Sequence, residues 1–328
     1  MSRISLWLIV SATLIFSIGL LMIFNTTAAE IIDHLDTASL HAALIKQSLY
    51  GCVGLCLGAI AYRWGYEWIL ANSYPLLILV SLLLILVFIP GIGLQLNGAR
   101  RWIGIFGYSF QPSESVKILI PAVYINWILS QNEVTKETFL KFLACISVPM
   151  ALILFEPDTG TTIILFALLI ALFFLTRIRV LYWGVPLALL IGLGGIVAWR
   201  MPHVQNRIEV YLHPELDLRG KGHQPHQAKI AAGSGQLWGR GIGESLQKLN
   251  YLPEARSDYI AAIYAEETGF VGILVLIGLY VSYGLAGIFI ALRAKDRGGF
   301  LMASILTFST AIQTFLNLGI VSTLLPSK

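Results

Sequence analysis

The sequence predicts an all-α fold, a polytopic bundle of membrane-spanning helices, and three observations support this prediction. Hydrophobic residues make up 57% of the 328 residues, whereas only 12% are charged. A soluble domain carries roughly twice that charged fraction. The apolar residues also gather in runs of about 20, which is the length that an α-helix needs to cross the hydrocarbon core of a bilayer.

Nine apolar runs are predicted to be spans. They cover residues 4–24, 43–62, 74–90, 112–130, 138–155, 160–176, 180–199, 268–292 and 300–320. The first run is too long for the apolar core of a signal peptide and lacks a small-residue cleavage site, so we interpret it as a retained span. One long polar loop, about 200–267, separates the seventh and eighth spans, and the whole of 1–328 is predicted to be a single membrane domain.

The basic residues of the short loops indicate the orientation of the spans. With a cytoplasmic N-terminus, Lys and Arg fall in the short inner loops and acidic residues on the opposite side, as the positive-inside rule requires. The long loop is then extracytoplasmic. Arg100, Arg101 and Lys117 lie on the outer side against this rule. They are interpreted either as binders of an anion or as anchors that snorkel to the interface.

Charge and cysteine patterns exclude several classes of function. The net charge of +4 is spread along loops, so no nucleic-acid partner is predicted. The three cysteines lie in or beside apolar runs and show neither zinc spacing nor a disulfide framework. The histidines likewise form no zinc-binding motif, and no zinc site is predicted.

Short polar motifs between the early spans carry candidate chemistry. Asn97-Gly-Ala-Arg-Arg-Trp102 combines a turn signal with two guanidinium groups, whose planar form suits phosphate or carboxylate. In Gln111-Pro-Ser-Glu-Ser-Val-Lys117, the proline suits the first turn of a helix and Glu114 shares a helix face with Lys117. This second motif is interpreted as a binding site or as a capped helix with a surface ion pair. Glu156-Pro-Asp-Thr-Gly160 predicts a tight turn in which Asp158 caps the next helix.

The densest charge lies at the end of the long loop. Lys248, Glu254, Arg256 and Asp258 fall within eleven residues, shortly before the next apolar run. Charge beside a membrane segment indicates a functional site, although a solvated loop before a helix would have the same composition. The glycine-rich stretch at 233–243 lacks the ending of a P-loop and the spacing of a nucleophile elbow, so it predicts neither site.

Taken in order, these motifs resemble the SEDS family (shape, elongation, division, sporulation) of FtsW-, RodA- and SpoVE-like proteins. The matching motifs are Asn97-Gly-Ala-x-Arg101-Trp102, Gln111-Pro-Ser-Glu114-x-x-Lys117, Pro157-Asp-x-Gly160, Ser234-Gly-x-Leu-x-Gly-x-Gly-x-Gly243, Leu252-Pro-Glu-x-x-Ser-Asp258 and Glu266-Glu267-x-Gly269. The stretch Gln247-Lys-Leu-Asn-Tyr-Leu-Pro-Glu-Ala255 is more similar to the FtsW-like division members. The chain departs from the family at Arg256-Ser-Asp-Tyr259, where His-Thr-Asp-Phe is usual.

The resemblance implies a multi-pass peptidoglycan glycosyltransferase of the bacterial cytoplasmic membrane, which polymerises lipid II at the outer leaflet during division or growth. Asp258 is then the catalytic carboxylate, because the attacking sugar hydroxyl must lose a proton. The implied substrate-binding residues are Arg101, Lys117, Arg100, Glu114, Gln111, Glu254, Lys248 and Ser257. A divalent cation, Mg²⁺ or Mn²⁺, is expected to share the charge of the leaving pyrophosphate, and its ligands are unassigned.

The implied partners are lipid II, a class B penicillin-binding protein and other membrane proteins of the division or elongation machinery. The family has a tenth span, which is expected to be missing after Lys328, so full activity of residues 1–328 is in doubt. Two other functions stay open. A lipid II flippase would need polar groups at mid-membrane depth, whereas these spans are nearly free of charge; the other alternative is a non-catalytic scaffold of the division machinery.

Overall fold

The computed structural model describes residues 2–34, 41–96, 99–105, 107–156, 158–199, 223–248 and 258–325. Within these ranges the chain forms eleven helices and one small sheet, which confirms the predicted helical membrane fold. The helices are α1 (Arg3–His34), α2 (Ala42–Trp64), α3 (Tyr66–Ala71), α4 (Ser73–Val87), α5 (Pro112–Leu129), α6 (Lys136–Phe155), α7 (Thr159–Leu175), α8 (Val180–Trp199), α9 (His223–Ser234), α10 (Ile260–Leu292) and α11 (Arg297–Val321).

Each of the nine predicted spans falls on one of these helices. Five are long and apolar enough to cross a membrane, namely Arg3–Ala28, Ala42–Trp64, Lys136–Phe155, Ile260–Leu292 and Arg297–Val321. The apolar helices Ser73–Val87 and Thr159–Leu175 are shorter. The chain is therefore a multi-pass membrane protein, and the count of nine spans stays a prediction.

The chain divides into two compact units, each built from segments that are distant in sequence. The first unit comprises Met1–Gly54, Ala188–Ala286 and Ala311–Ser327. The second unit comprises Leu55–Leu187 and Gly287–Thr310.

An aromatic cluster fixes α5 in the second unit, where α4, α5, α6 and α7 pack together. The ring of Tyr124 is fully buried and lies edge-on to Phe142 and Phe173, with centroids 5.2 and 5.3 Å away. Its hydroxyl is hydrogen-bonded to the hydroxyl of Thr176 at 2.5 Å. Edge-to-face pairs of this kind stabilise the fold beyond the contribution of apolar burial. They therefore fix the packing of α5 against α6 and α7.

A small antiparallel sheet precedes α5, in a region for which no strands were predicted from the sequence. Its strands are β1 (Gly93–Leu96), β2 (Ala99–Ile105) and β3 (Tyr108–Phe110), in the order β1-β2-β3. Ile103 on β2 pairs with Gly93 on one side and Phe110 on the other. The predicted turn at Asn97 and Gly98 lies outside the described residues.

The core of the first unit supports the start of α10. Residues of four helices meet there, with Met22 from α1, Ala228 and Ala231 from α9, Tyr259, Ala262 and Ile263 at the start of α10, and Ile320 and Val321 from α11. The predicted start of this span at 268 lies beside a kink at Gly269, whose φ of 68° and ψ of −166° separate two helical stretches of α10. The stretch before the kink extends the helix back to Ile260.

Candidate active site

Asp258, the predicted catalytic carboxylate, lies immediately before α10 and is exposed. The next side chain, Tyr259, is only 2% exposed and packs into the core of the first unit. A buried ring beside an exposed carboxylate fixes the backbone and leaves the charge accessible. Glu254 and Ser257, which were predicted to bind substrate, lie outside the described residues.

The glycine-rich segment, residues 235–248, pairs with the backbone of α10 at its kink. The amides of Arg240 and Gly241 donate to the carbonyls of Glu266 and Glu267, both at 3.0 Å. The amides of two residues after the kink donate back, from Phe270 to the Gln236 carbonyl and from Val271 to the Leu237 carbonyl. In an unbroken helix these amides and carbonyls would bond to each other, because the ladder joins each residue to the one four before it. The segment thus satisfies the backbone groups that the kink releases.

Two glycines make this close approach possible. Gly239 and Gly269 have φ of 81° and 68°, a region that residues with a Cβ rarely occupy. A Cβ at Gly239 would collide with the Glu267 carbonyl, and a Cβ at Gly269 would collide with the backbone of Gly239. The glycine-rich motif therefore serves backbone packing at this point.

Two buried carboxylates lie under the glycine-rich segment. Glu266 and Glu267 are 1% and 2% exposed, and both accept hydrogen bonds from the segment. Lys248, predicted to bind substrate, has its ammonium 3.1 Å from the Glu267 carboxylate. The predicted site left out Glu266 and Glu267, and the signal that could have found them was a pair of acidic residues within an apolar stretch.

In the second unit, Asp158 joins three elements. It caps α7, as predicted, by accepting the Thr161 amide at 3.1 Å. Its other carboxylate oxygen accepts from the side-chain amide of Gln111, the residue before α5, at 3.0 Å. Arg101 on β2 places a guanidinium nitrogen 4.0 Å from the same carboxylate. The predicted residues Gln111 and Arg101 are therefore brought together around a buried acid.

Lys117 and Glu114 form an ion pair on one face of α5, as their spacing predicted. The Lys117 ammonium lies 2.7 Å from the Glu114 carboxylate. This is no ordinary surface pair, because the lysine side chain is 6% exposed while the glutamate side chain is 52% exposed. The Lys117 ammonium is buried and its partner, the Glu114 carboxylate, is exposed. A cation in this position is suited to bind an anion.

Arg100 and Arg101 are neighbours on β2. The pairing of β2 with β1 shifts its register here: Trp102 is opposite Leu94 and Arg100 is opposite Gln95, so Arg101 is the extra residue of an irregularity of the β-bulge kind. Both side chains are partly buried.

Glu156, at the end of α6, is a further acidic group that the predicted site did not include. The residue is 1% exposed, and neither carboxylate oxygen has a hydrogen-bond partner among the described residues. Burial, followed by the nearby charge of Asp158, raises the pKa of Glu156 to about 8, against an opposing effect of Arg101. Glu156 is therefore largely protonated at neutral pH and adds little negative charge near Arg101.

The predicted divalent cation has no ready-made set of protein ligands. In the part of the chain that the structure describes, no three His, Cys, Asp or Glu side chains are grouped so as to hold a metal ion. Mg²⁺ commonly binds through one or two carboxylates together with substrate phosphates, so a cation held mainly by substrate needs no such group. The cation therefore stays a prediction.

The sequence was compared with known proteins and families. The family model for FtsW, RodA and SpoVE, described as cell cycle protein, matches residues 5–328. The chain belongs to the FtsW/RodA/SpoVE family. This confirms the resemblance to the SEDS family drawn from the motifs.

Two relatives and two solved structures show the extent of the similarity. The probable peptidoglycan glycosyltransferase FtsW of Nitrosomonas europaea is 33% identical over 98% of this chain and 84% of that protein. Stage V sporulation protein E of Bacillus subtilis is 33% identical over 98% of this chain and 88% of that protein. A chain of a peptidoglycan synthase complex shares the fold with a TM-score of 0.75, at 22% identity over 98% of this chain and 88% of that chain. The structure of Thermus thermophilus RodA shares the fold with a TM-score of 0.66, at 21% identity over 95% of this chain and 83% of that chain.

Proposed function

We propose that this protein is a peptidoglycan glycosyltransferase that polymerises lipid II into glycan strands. Its FtsW relatives are named for this activity, and the similarity to them covers nearly the whole chain. The observation that carries the proposal for this chain is Asp258, an exposed carboxylate whose backbone is fixed by the buried Tyr259. A general base must be both accessible and precisely positioned.

The proposed role of Asp258 is to remove the proton from the acceptor sugar. As the hydroxyl oxygen bonds to the anomeric carbon of the donor, the bond from that carbon to the polyprenyl pyrophosphate breaks. The proton passes to the Asp258 carboxylate, and the pyrophosphate leaves with the bonding electron pair. A positioned base contributes about 10²–10⁴-fold to such a step.

Fixed cations are proposed to stabilise the leaving pyrophosphate. Lys117 is the strongest candidate, because its buried ammonium has an exposed carboxylate as its partner and can exchange that partner for phosphate. Arg101, whose partly buried guanidinium lies beside Asp158, and its neighbour Arg100 are further candidates. A divalent cation bound through the substrate's phosphate oxygens is proposed to share this charge.

We further propose that the protein lies in the bacterial cytoplasmic membrane with its N-terminus inside, and that it acts with a class B penicillin-binding protein. The positive-inside pattern of the short loops supports this orientation. The likeness to a chain of a complex that couples polymerization and crosslinking supports a crosslinking partner. Other membrane proteins of division or elongation are proposed as additional partners.

Polymer formation is the experiment that tests this function. The purified protein and its class B partner are incubated with fluorescent lipid II and Mg²⁺, and the products are separated by gel electrophoresis. Glycan strands should form, and they should not form when the partner is incubated alone. A flippase or a scaffold would make no polymer, so the absence of strands from an active complex would contradict the proposal.

A further inference from the structure

A buried ion pair joins the glycine-rich segment to two helices of the first unit. The Lys248 ammonium lies 3.1 Å from Glu267 Oε1, and the lysine side chain is 8% exposed. It also donates to Asn25 Oδ1 at 2.7 Å and to the Gly243 carbonyl at 2.5 Å. Asn25 in turn donates its side-chain amide to Glu267 Oε2 at 2.5 Å. An ammonium group has three hydrogens, and these three acceptors use all of them.

The adjacent acid, Glu266, holds the same segment through several neutral donors and lies 3.7 Å from the Arg240 guanidinium. Its carboxylate accepts from the hydroxyls of Ser245 at 2.5 Å and Ser234 at 3.1 Å. It also accepts from the backbone amides of Leu246 and Gln247, both at 3.3 Å. The end of α9 and the residues up to Lys248 are thus bound to α10 through buried carboxylates.

This network lies close in sequence to the candidate base. Lys248 precedes Asp258 by ten residues, and Asp258 lies just before α10, whose early turns carry Glu266 and Glu267. The chain is therefore fixed to α10 before and after residues 249–257. A shift of about 1 Å in a reacting group can cost roughly 100-fold in rate, so a fixed register here bears on catalysis.

We propose that Lys248, Glu267 and Asn25 form a positioning lock, which holds the glycine-rich segment up to Lys248 in one register on α10, the helix that begins directly after Asp258 and Tyr259. In this assignment Lys248 positions the site and does not itself bind the phosphates of the substrate. The inference rests on the proposed glycosyltransferase function, and it replaces the substrate-binding role that the sequence predicted for Lys248.

Neutralising Lys248, Glu267 or both tests whether Lys248 positions the chain or binds the phosphates of the substrate. Removing one partner of a buried pair leaves an uncompensated charge, whereas removing both does not. The variants are Lys248→Met, Glu267→Gln and the double variant, with Lys229→Met as a matched control because Lys229 is an exposed lysine of the same unit. The readouts are the melting temperature in detergent, and kcat and KM for lipid II where all variants are folded.

A lock predicts that each single variant lowers the melting temperature and lowers kcat by roughly 100-fold, with little change in KM. The double variant should regain most of the melting temperature, because no uncompensated buried charge remains, but it should not regain kcat, because the contacts of the lock are still missing. Lys248→Arg should be milder than Lys248→Met, and the control should match the wild type. A phosphate ligand predicts a raised KM in Lys248→Met and near-normal kcat in Glu267→Gln. Recovery of kcat in the double variant would also overturn the proposal.

The stability readout keeps this test separate from the proposed function. If the wild type makes no polymer, the glycosyltransferase proposal fails. The melting temperatures then still decide whether Lys248 and Glu267 act as a pair. Additive losses in the double variant would show that they do not.

Discussion

Arg101 donates its Nε hydrogen to the main-chain carbonyl of Glu156 at 3.0 Å. This bond ties strand β2 to the turn between α6 and α7, and a second guanidinium nitrogen faces Asp158 at 4.0 Å in the same turn. A residue that the sequence assigned to phosphate binding thus has a structural role as well. Its substitution should affect both stability and substrate use.

Replacing Arg101 by lysine should lower the melting temperature, because an ammonium group cannot reproduce the planar arrangement of donors. The loss should correspond to about 1.5–3 kcal/mol, the usual contribution of a hydrogen bond to a charged group. Arg100→Lys, at the neighbouring arginine of β2, is the control and should cost less. Thermal unfolding in detergent measures both, and equal melting temperatures would show that the contact to Glu156 contributes nothing.

Glu156→Gln should abolish part of the pH dependence of stability. A carboxyl group whose pKa is raised from 4.5 to about 8 in the folded protein stabilises the fold fully below pH 4.5 and loses that contribution as the pH rises to about 8. Within this window the wild type should lose about 1.4 kcal/mol per pH unit relative to the variant. Melting temperatures of both proteins from about pH 5 to about pH 9 provide the measurement. Parallel curves would mean that Glu156 ionises normally.

Two ion pairs of the same length allow a matched test of Lys117. Lys117–Glu114 and Lys141–Glu137 are both 2.7 Å long, but the second pair is exposed at both ends, with side chains 73% and 78% exposed. Exposed pairs contribute about 0–1 kcal/mol. We therefore expect Lys141→Met to behave like the wild type.

Lys117→Met should raise KM for lipid II or lower kcat, since it removes a proposed phosphate ligand, and the expected loss in kcat/KM is about 10²-fold. Steady-state polymerisation by both variants gives the comparison. Equal kcat/KM in the two variants would return Lys117 to a structural role.

The helices were predictable from the sequence because a bilayer demands about 20 apolar residues per span. The cap at Asp158 and the shared face of Glu114 and Lys117 were predictable for the same kind of reason, since both depend on spacing along one helix. Spacing along one helix fixes which residues are neighbours, so a short stretch of sequence is enough to predict these contacts.

Contacts between distant parts of the chain were not predictable. The network of Lys248 with Asn25 joins residues 223 positions apart, and no local pattern indicates such a pair. The helical stretch of α10 before the kink at Gly269 was not part of the predicted span, because Glu266 and Glu267 interrupt the apolar run there. Strands β1 and β3 have only four and three residues, and a register shift interrupts the regular pattern of β2, although an Asn-Gly turn is a hairpin signal.

The proposed orientation predicts that the glycine-rich segment and the end of α5 lie on opposite sides of the membrane. Single cysteines at Glu244 and Ser130, both exposed, test this in a protein without its three natural cysteines. An impermeant maleimide applied to intact spheroplasts should label Glu244→Cys, and Ser130→Cys should react only after lysis. Labelling of both positions from the same side would contradict the topology on which the outer-leaflet assignment depends.

Asp258→Asn tests whether Asp258 is the general base. The exposed side chain tolerates an amide of the same size, so melting should be unchanged, while the proton acceptor is lost. Polymerisation of lipid II by the purified complex should fall about 10²–10⁴-fold, and Glu244→Gln, an exposed acid of the same unit, should retain wild-type turnover. Near-normal polymerisation by a folded Asp258→Asn protein would contradict the assignment of Asp258 as the base.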